Sequence, residues 1–222
     1  MTTNKSEQRS VADYTVLKAV QELHRLYKCG DVPGPAQHEV SPGLPPGSRD
    51  NYLYFTLTCA INFQRNSPAL WSSALRTYSD PDTSFVFHPE EVCQAGHERT
   101  KEALSRYRLA LQTNRHAAIW VRIFDSLYQN FLSDPRELLA QCSYDVLRIV
   151  ALVQEQKSLF PYLGGPKLSN YWVFILSQFT DAPLVNTHAL SIIPDTHVIQ
   201  SSVRLGLVPP VLASERSRRF GE

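Results

Sequence analysis

The sequence predicts an all-α fold. Apolar residues recur at helical spacing through most of the chain, no strand-like alternation persists long enough to build a sheet, and the periodic segments open on Ser, Asp or Pro, which cap or begin helices. With 222 residues and 43% hydrophobic content, the chain can bury one substantial core or two small lobes around a cleft.

In order, Ser10 to Cys29 reads as an amphipathic helix with Val16, Val20, Leu23 and Tyr27 on one face, stopped by Gly30. The Pro- and Gly-rich stretch from Gly30 to Ser48 cannot propagate a helix and predicts an extended loop. Asn51 to Gln64 is nearly continuously apolar and too long for a buried strand, which predicts a buried helix. Ser67 and Pro68 supply a cap and a first-turn proline for a helix to about Tyr78. Ser79 to Phe87 reads as a loop with a short β-prone piece, Ser84 to Phe87. A short helix then starts at His88-Pro89, with Glu90 and Glu91 in its first turn.

From His97 to Thr113, Leu104, Tyr107 and Leu111 alternate with Arg99, Lys101, Arg106 and Arg108. That basic face could touch phosphates, a solvated helix face being the commoner reading. Arg115 to Phe131 is the most periodic segment and predicts the central core helix. Asp134 caps a short helix from Pro135 to Cys142, and Ser143 is the expected cap of the next, which carries Val146, Leu147, Val150 and Val153.

Composition excludes several functions. No apolar run approaches the ~20 residues of a membrane span, and the polar N-terminus has no signal-peptide core, so an intracellular protein without a membrane partner is expected. Cys29, Cys59, Cys93 and Cys142 are scattered, which points to buried reduced thiols rather than a zinc site or cluster. His188 and His197 lack the spacing and the carboxylates of a metal site. No metal and no cofactor are expected. The net charge of +1 supplies no global attraction for nucleic acid, so any such contact needs a local patch.

The specific stretch is Leu159 to Gly206. Gly164-Gly165-Pro166-Lys167 joins the apolar segments Leu159–Leu163 and Leu168–Phe179. This reads as a helix-hairpin-helix whose second helix would offer backbone N–H groups to a phosphate. An ordinary helix connection is the commoner reading of the glycines alone. Further on, Asp195 stands where it would cap a last helix from Val198 to Leu207, with His197 bonded inside that turn.

Together, Gly165-Pro166-Lys167 and Asp195-Thr196-His197-Val198 resemble the paired motifs of the helix-hairpin-helix superfamily of DNA glycosylases. The adjacent glycines, in place of Gly-hydrophobic-Gly, and the long interval between Lys167 and Asp195 resemble the archaeal 8-oxoguanine glycosylase branch most closely. The resemblance implies a single domain over 1–222, with lobes over about 49–132 and over 1–30 plus 133–222. It implies a bifunctional N-glycosylase and β-lyase that excises an oxidised purine, with Lys167 as nucleophile and Asp195 as catalytic carboxylate. Asn62, Gln64 and Trp71 match the family's base-pocket residues, although capping and surface roles fit the two amides equally well. Tyr171 stands at the offset of a stacking aromatic, with Trp172 beside it, and core packing is the alternative, more so for Trp172. Gly164, Gly165 and Pro166 would contact DNA phosphate. The implied partner is double-stranded DNA carrying a damaged base, met by a monomer.

Two alternatives remain open on the sequence. Queuosine-nucleotide N-glycosidases share the helical architecture and act on free nucleotides; there Asp195 would stay essential and Lys167 would not. A non-catalytic DNA-binding module that retains the fold is the other. The basic tail of Arg216, Arg218 and Arg219 offers charge for a phosphate backbone in any of these.

Overall fold

The computed structural model describes residues 4–32, 39–192 and 196–207. Its helices are α1 (Asn4–Lys28), α2 (Arg49–Ala60), α3 (Ser67–Ser79), α4 (Pro89–Arg106), α5 (Thr113–Asn130), α6 (Pro135–Gln141), α7 (Val146–Glu155), α8 (Pro166–Phe179) and α9 (Thr196–Arg204). The only β-pairing among the described residues is a single parallel bridge between Asp145 and Val185, so the fold is all-helical. No helix among them is long and apolar enough to cross a membrane. Pro194, Asp195 and the Arg216–Arg219 tail lie outside the described residues, as does the middle of the Pro- and Gly-rich stretch.

The chain divides into two compact units. One, 37–192, holds α2 to α8 around a single hydrophobic core. The division expected at 132/133 falls inside this unit, because α2 packs on α6 and α8 as well as on α5. The other unit holds α1 and α9. On α1 the apolar face is largely exposed, Val20, Leu23 and Tyr27 included.

The centre of the large unit is α2. Every residue from Asn51 to Ala60 is buried, as expected of a helix that is apolar around its whole circumference. By contrast α5, expected to be central, is a flanking helix. It buries Ile119, Trp120, Ile123, Phe124 and Leu127 while Tyr128 stays 73% exposed. Strong periodicity marks a helix with one wet face, not an enclosed one.

Aromatic rings fill the space between the helices. Tyr54 on α2 lies 5.3 Å from Phe87 and 5.7 Å from Tyr78, and Phe87 lies 5.3 Å from Trp120. The stretch Ser84–Phe87 is a 3₁₀ turn, not a loop, with Phe85, Val86 and Phe87 buried. Its bulky residues serve as core filler, and the Val86 carbonyl accepts the Trp120 indole N–H at 2.7 Å.

Several boundaries differ from the expected ones for local reasons. Asn66, not Ser67, caps α3, because its side-chain oxygen accepts from Ala69 N–H at 2.9 Å. Asp145, not Ser143, caps α7, accepting from Leu147 N–H at 2.8 Å; Ser143 and Tyr144 adopt left-handed backbone that ends α6. Two expected helices, from His88 and from His97, run together as α4 across a break at Gly96 (φ 76°, ψ 173°). That conformation is accessible essentially to glycine alone. Of the four cysteines, all unpaired, Cys59 and Cys142 are buried as expected, but Cys29 and Cys93 are exposed.

The hairpin differs most. Residues 156–165 between α7 and α8 are turn, so Leu159–Leu163 forms no helix. Neither hairpin glycine uses positive φ; Tyr162 takes the left-handed conformation, at φ 63°. Gly164 is needed for close approach, since a Cβ there would strike the Val153 carbonyl and sit 3.1 Å from the Phe160 carbonyl. Gly165 is less confined, with the Tyr162 carbonyl 3.0 Å from a built Cβ. Gly164→Ala is therefore expected to lower stability by about 2–3 kcal/mol and Gly165→Ala by about 1 kcal/mol or less. Denaturant unfolding of both variants checks this, and equal effects would contradict the close-approach account.

Candidate functional site

Lys167 is the second residue of α8, directly after Pro166, whose fixed φ suits the first helical position. It is exposed, while its neighbour Leu168 is buried. Its amine is therefore not desolvated by an apolar pocket in this conformation.

One turn later, Tyr171 turns inward and organises a polar network. Its hydroxyl donates to Glu39 Oε1 at 2.9 Å and accepts from the Trp71 indole N–H at 3.2 Å. Burial pushes the phenol far above its ordinary range; neighbouring Cys59 and Glu39 act in the same direction, and hydrogen bonds from Ser67 and Trp71 oppose them. The Asn62 amide donates to Ser67 Oγ at 3.4 Å. Asn62, Trp71 and Tyr171, drawn from separate stretches of sequence, thus meet in one place. Gln64 is exposed, with left-handed backbone at φ 49°, and its side chain makes no hydrogen bond to this group.

The two tryptophans are closed to solvent. Trp71 and Trp172 are each 0% exposed, and the Trp172 indole donates to Thr56 Oγ1 at 3.0 Å on α2. Stacking on a base needs an open ring face, which neither offers as placed. Trp172 follows the core-packing alternative, and Trp71 acts through its N–H.

The hairpin backbone is also committed. Gly164 N–H donates to the Phe160 carbonyl at 2.7 Å and Gly165 N–H to the Tyr162 carbonyl at 2.9 Å, while Pro166 has no N–H to give. The turn folds back on itself, and Gly164, Gly165 and Pro166 have no backbone N–H left for the phosphate contacts expected of them. Of the basic face expected on 97–113, three of the four residues are engaged. Lys101 pairs with Glu98, Arg106 with Asp80 and Asp82, and Arg99 covers the Phe85 ring.

A second set of residues gathers beside the same turn. The Tyr162 ring lies 4.8 Å from Phe63, 4.8 Å from the Arg115 guanidinium and 6.4 Å from His116. Arg65 donates to the carbonyls of Leu109 at 2.7 Å and Arg108 at 3.3 Å. Burial, reinforced by Arg108, pulls the Arg65 guanidinium down to about 10, which leaves it charged at neutral pH. Two buried polar atoms here, Arg65 Nε and the Tyr162 hydroxyl, have no hydrogen-bond partner. His116 is buried, and its Nδ1 accepts from Leu111 N–H at 3.3 Å, so the proton of the neutral ring resides on Nε2.

Sequence reasoning missed Glu39, Ser67 and this second group. Glu39 sits in a Pro- and Gly-rich loop with no local signal, and Arg65 lies between Gln64 and Asn66 in the polar connection before Ser67 with nothing to distinguish it from its neighbours. Asp195, the other half of the expected catalytic pair, lies outside the described residues, and α9 begins at Thr196. Among the described residues, no group of three or more His, Cys, Asp or Glu is placed to hold a metal ion.

Compared with known proteins, the chain matches no family model, no curated protein and no solved structure.

Two predictions arise from this geometry. Tyr171→Phe removes the acceptor of a buried indole N–H and the donor to Glu39, and is expected to cost about 1–3 kcal/mol in denaturant unfolding with the fold retained; an unchanged midpoint would show that the network contributes nothing. The second concerns pH. Burial, then Arg65 and Arg115, push His116 down from 6.5 to about 4. The unfolded chain therefore binds the proton first, and stability present above pH ~6.5 declines as pH falls towards ~4, by on the order of 2 kcal/mol. His116→Gln should flatten that dependence between pH 7 and 5, and an identical profile in both proteins would refute the assignment.

Proposed function

We propose that the chain is an N-glycosylase that excises a damaged, oxidised purine from DNA, with Lys167 as nucleophile and Asp195 as the carboxylate. The observation that carries this reading is the meeting of Asn62, Trp71 and Tyr171 one helical turn from Lys167. These residues resemble one family's pocket when read from sequence, and Tyr171 reaches Trp71 across 100 positions of chain.

The chemistry follows from residue types. A neutral Lys167 amine attacks C1′ of the extruded nucleotide, and the C1′–N bond breaks with its electrons leaving on the base. Opening of the sugar ring converts the adduct to an iminium, with O4′ taking a proton. Loss of a C2′ proton then expels the 3′-phosphate by β-elimination, and water hydrolyses the imine. Asp195 stabilises positive charge on the sugar during departure of the base. Tyr171 acts from behind, holding Trp71 and Glu39 in register.

A second reading is favoured by one observation, the exposure of Lys167. A Schiff-base lysine gains from desolvation, whereas a hydrolytic N-glycosidase acting on a free nucleotide needs only the carboxylate.

Borohydride trapping decides between them. With duplex DNA containing 8-oxoguanine or an abasic site, the native protein is expected to form a covalent adduct that Lys167→Ala abolishes. Base release from a free nucleotide that survives Lys167→Ala and is lost in Asp195→Asn would select the second reading. Absence of adduct, strand scission and base release together would remove both.

A further inference from the structure

Positive charge in this protein is distributed unevenly. Arg25, Arg49, Arg106 and Arg136 each bridge to a carboxylate. Around the turn that leads into Lys167 the pattern changes. Arg65 spends its guanidinium on the carbonyls of Leu109 and Arg108, Arg115 lies over the Tyr162 ring, and Arg122 donates to the Ser158 carbonyl at 2.9 Å. Arg108, exposed and in left-handed backbone, ends the helix beside them. None of these four forms an ion pair among the described residues.

Three segments converge here: 63–65 after α2, 108–116 into α5, and 158–162 before α8. The contacts that hold them together are neutral, so the arginines' charge is left uncompensated. Two buried polar atoms at the same place, Arg65 Nε and the Tyr162 hydroxyl, lack partners, and each can donate to an oxygen. Packing cations together without a counter-ion is unfavourable unless an anion completes the site. The planar donor fork of Arg suits phosphate oxygens in particular.

We propose that Arg65, Arg108 and Arg115, gathered beside Tyr162, form a phosphate-binding site, with Arg122 at its margin, that takes either a phosphodiester of a nucleic-acid backbone or the phosphate monoester of a nucleotide. That the phosphate belongs to a nucleotide rests on the N-glycosylase reading; that the site takes phosphate does not. The site replaces the hairpin glycines, whose N–H groups are already donated, as the anchor next to Lys167.

The test uses the full chain. Anisotropy with a labelled, undamaged DNA duplex over a salt series gives affinity and salt slope, and calorimetry with a nucleoside 5′-monophosphate covers the monoester. Arg108→Gln/Arg115→Gln alters two exposed side chains. Arg25→Gln/Lys101→Gln removes the same charge at two positions already paired with acids. The first double variant is expected to lose about tenfold in affinity for whichever ligand the native protein binds, and, if that is duplex DNA, to flatten the salt slope by about two; the second should bind as the native protein does. Unchanged affinity and slope in Arg108→Gln/Arg115→Gln, or equal losses in both double variants, would overturn the site, as would a native protein that binds neither ligand. Lys167→Arg keeps the charge but cannot form the imine. Failure of trapping with arginine-dependent binding intact removes the glycosylase reading alone, and trapping with unaltered binding in the arginine variant removes the phosphate site alone.

Discussion

The large unit depends on the complete enclosure of α2. A helix buried on every side can satisfy its polar side chains only internally, and α2 does so for most of them by reaching outwards, with Asn51 Oδ1 and Thr58 Oγ1 left without partners. Asn51 donates to the carbonyls of Pro46 and Phe179, Tyr52 to Asp181, Tyr54 to the Val40 carbonyl, and Thr56 accepts from Trp172. An unmade bond at any of these costs roughly 1–3 kcal/mol. The 39–48 loop and the middle and C-terminal end of α8 are therefore fixed by α2, and α8, as one rigid helix, carries Lys167 at its other end.

This arrangement constrains any ligand site. With Trp71 and Trp172 closed into the core, the aromatic rings near Lys167 give rigidity rather than an open stacking face. Tyr171 links the two functions, since it belongs to α8 yet bonds to α3 through Trp71 and to the loop through Glu39. What is left for recognition is polar and peripheral: Asn62 and Gln64 at the end of α2, the side chain of Lys167, and the arginines around Tyr162. A ligand meeting these would lie across the surface where α2, α5 and the turn before α8 come together.

The helices were legible because their physics is local. Pro166, Asp134 and the unbroken apolar run of α2 announce themselves within a few residues. The errors share one cause, which is that long-range contact decided them. Adjacent glycines in a connection suggest a turn at positive φ, but Tyr162 carries the left-handed turn, held by Phe63 and Arg115 from distant parts of the chain. The α5 pattern was read as the deepest helix when its contrast between faces meant the opposite. For the site, the motif resemblance had grouped Asn62, Trp71 and Tyr171 without giving the contacts between them, whereas Glu39, Arg65 and Arg115 had no signal at any fixed spacing.

The near-zero net charge carries a related lesson. A sum over the chain says nothing about where charges lie, and most of the basic residues that stood out in sequence, Arg99, Lys101 and Arg106, are occupied by rings or acids on their own side of the protein. Of that basic face Arg108 alone forms no ion pair or ring contact among the described residues, and Arg65, Arg115 and Arg122, which did not stand out, are uncompensated because their partners are carbonyls and a ring. Counter-ion pairing, rather than abundance, separates a basic residue that stabilises the fold from one that can hold an anion. By that criterion the turn before Lys167 is a natural place for a phosphate to anchor, and it lies within a few residues of the proposed nucleophile.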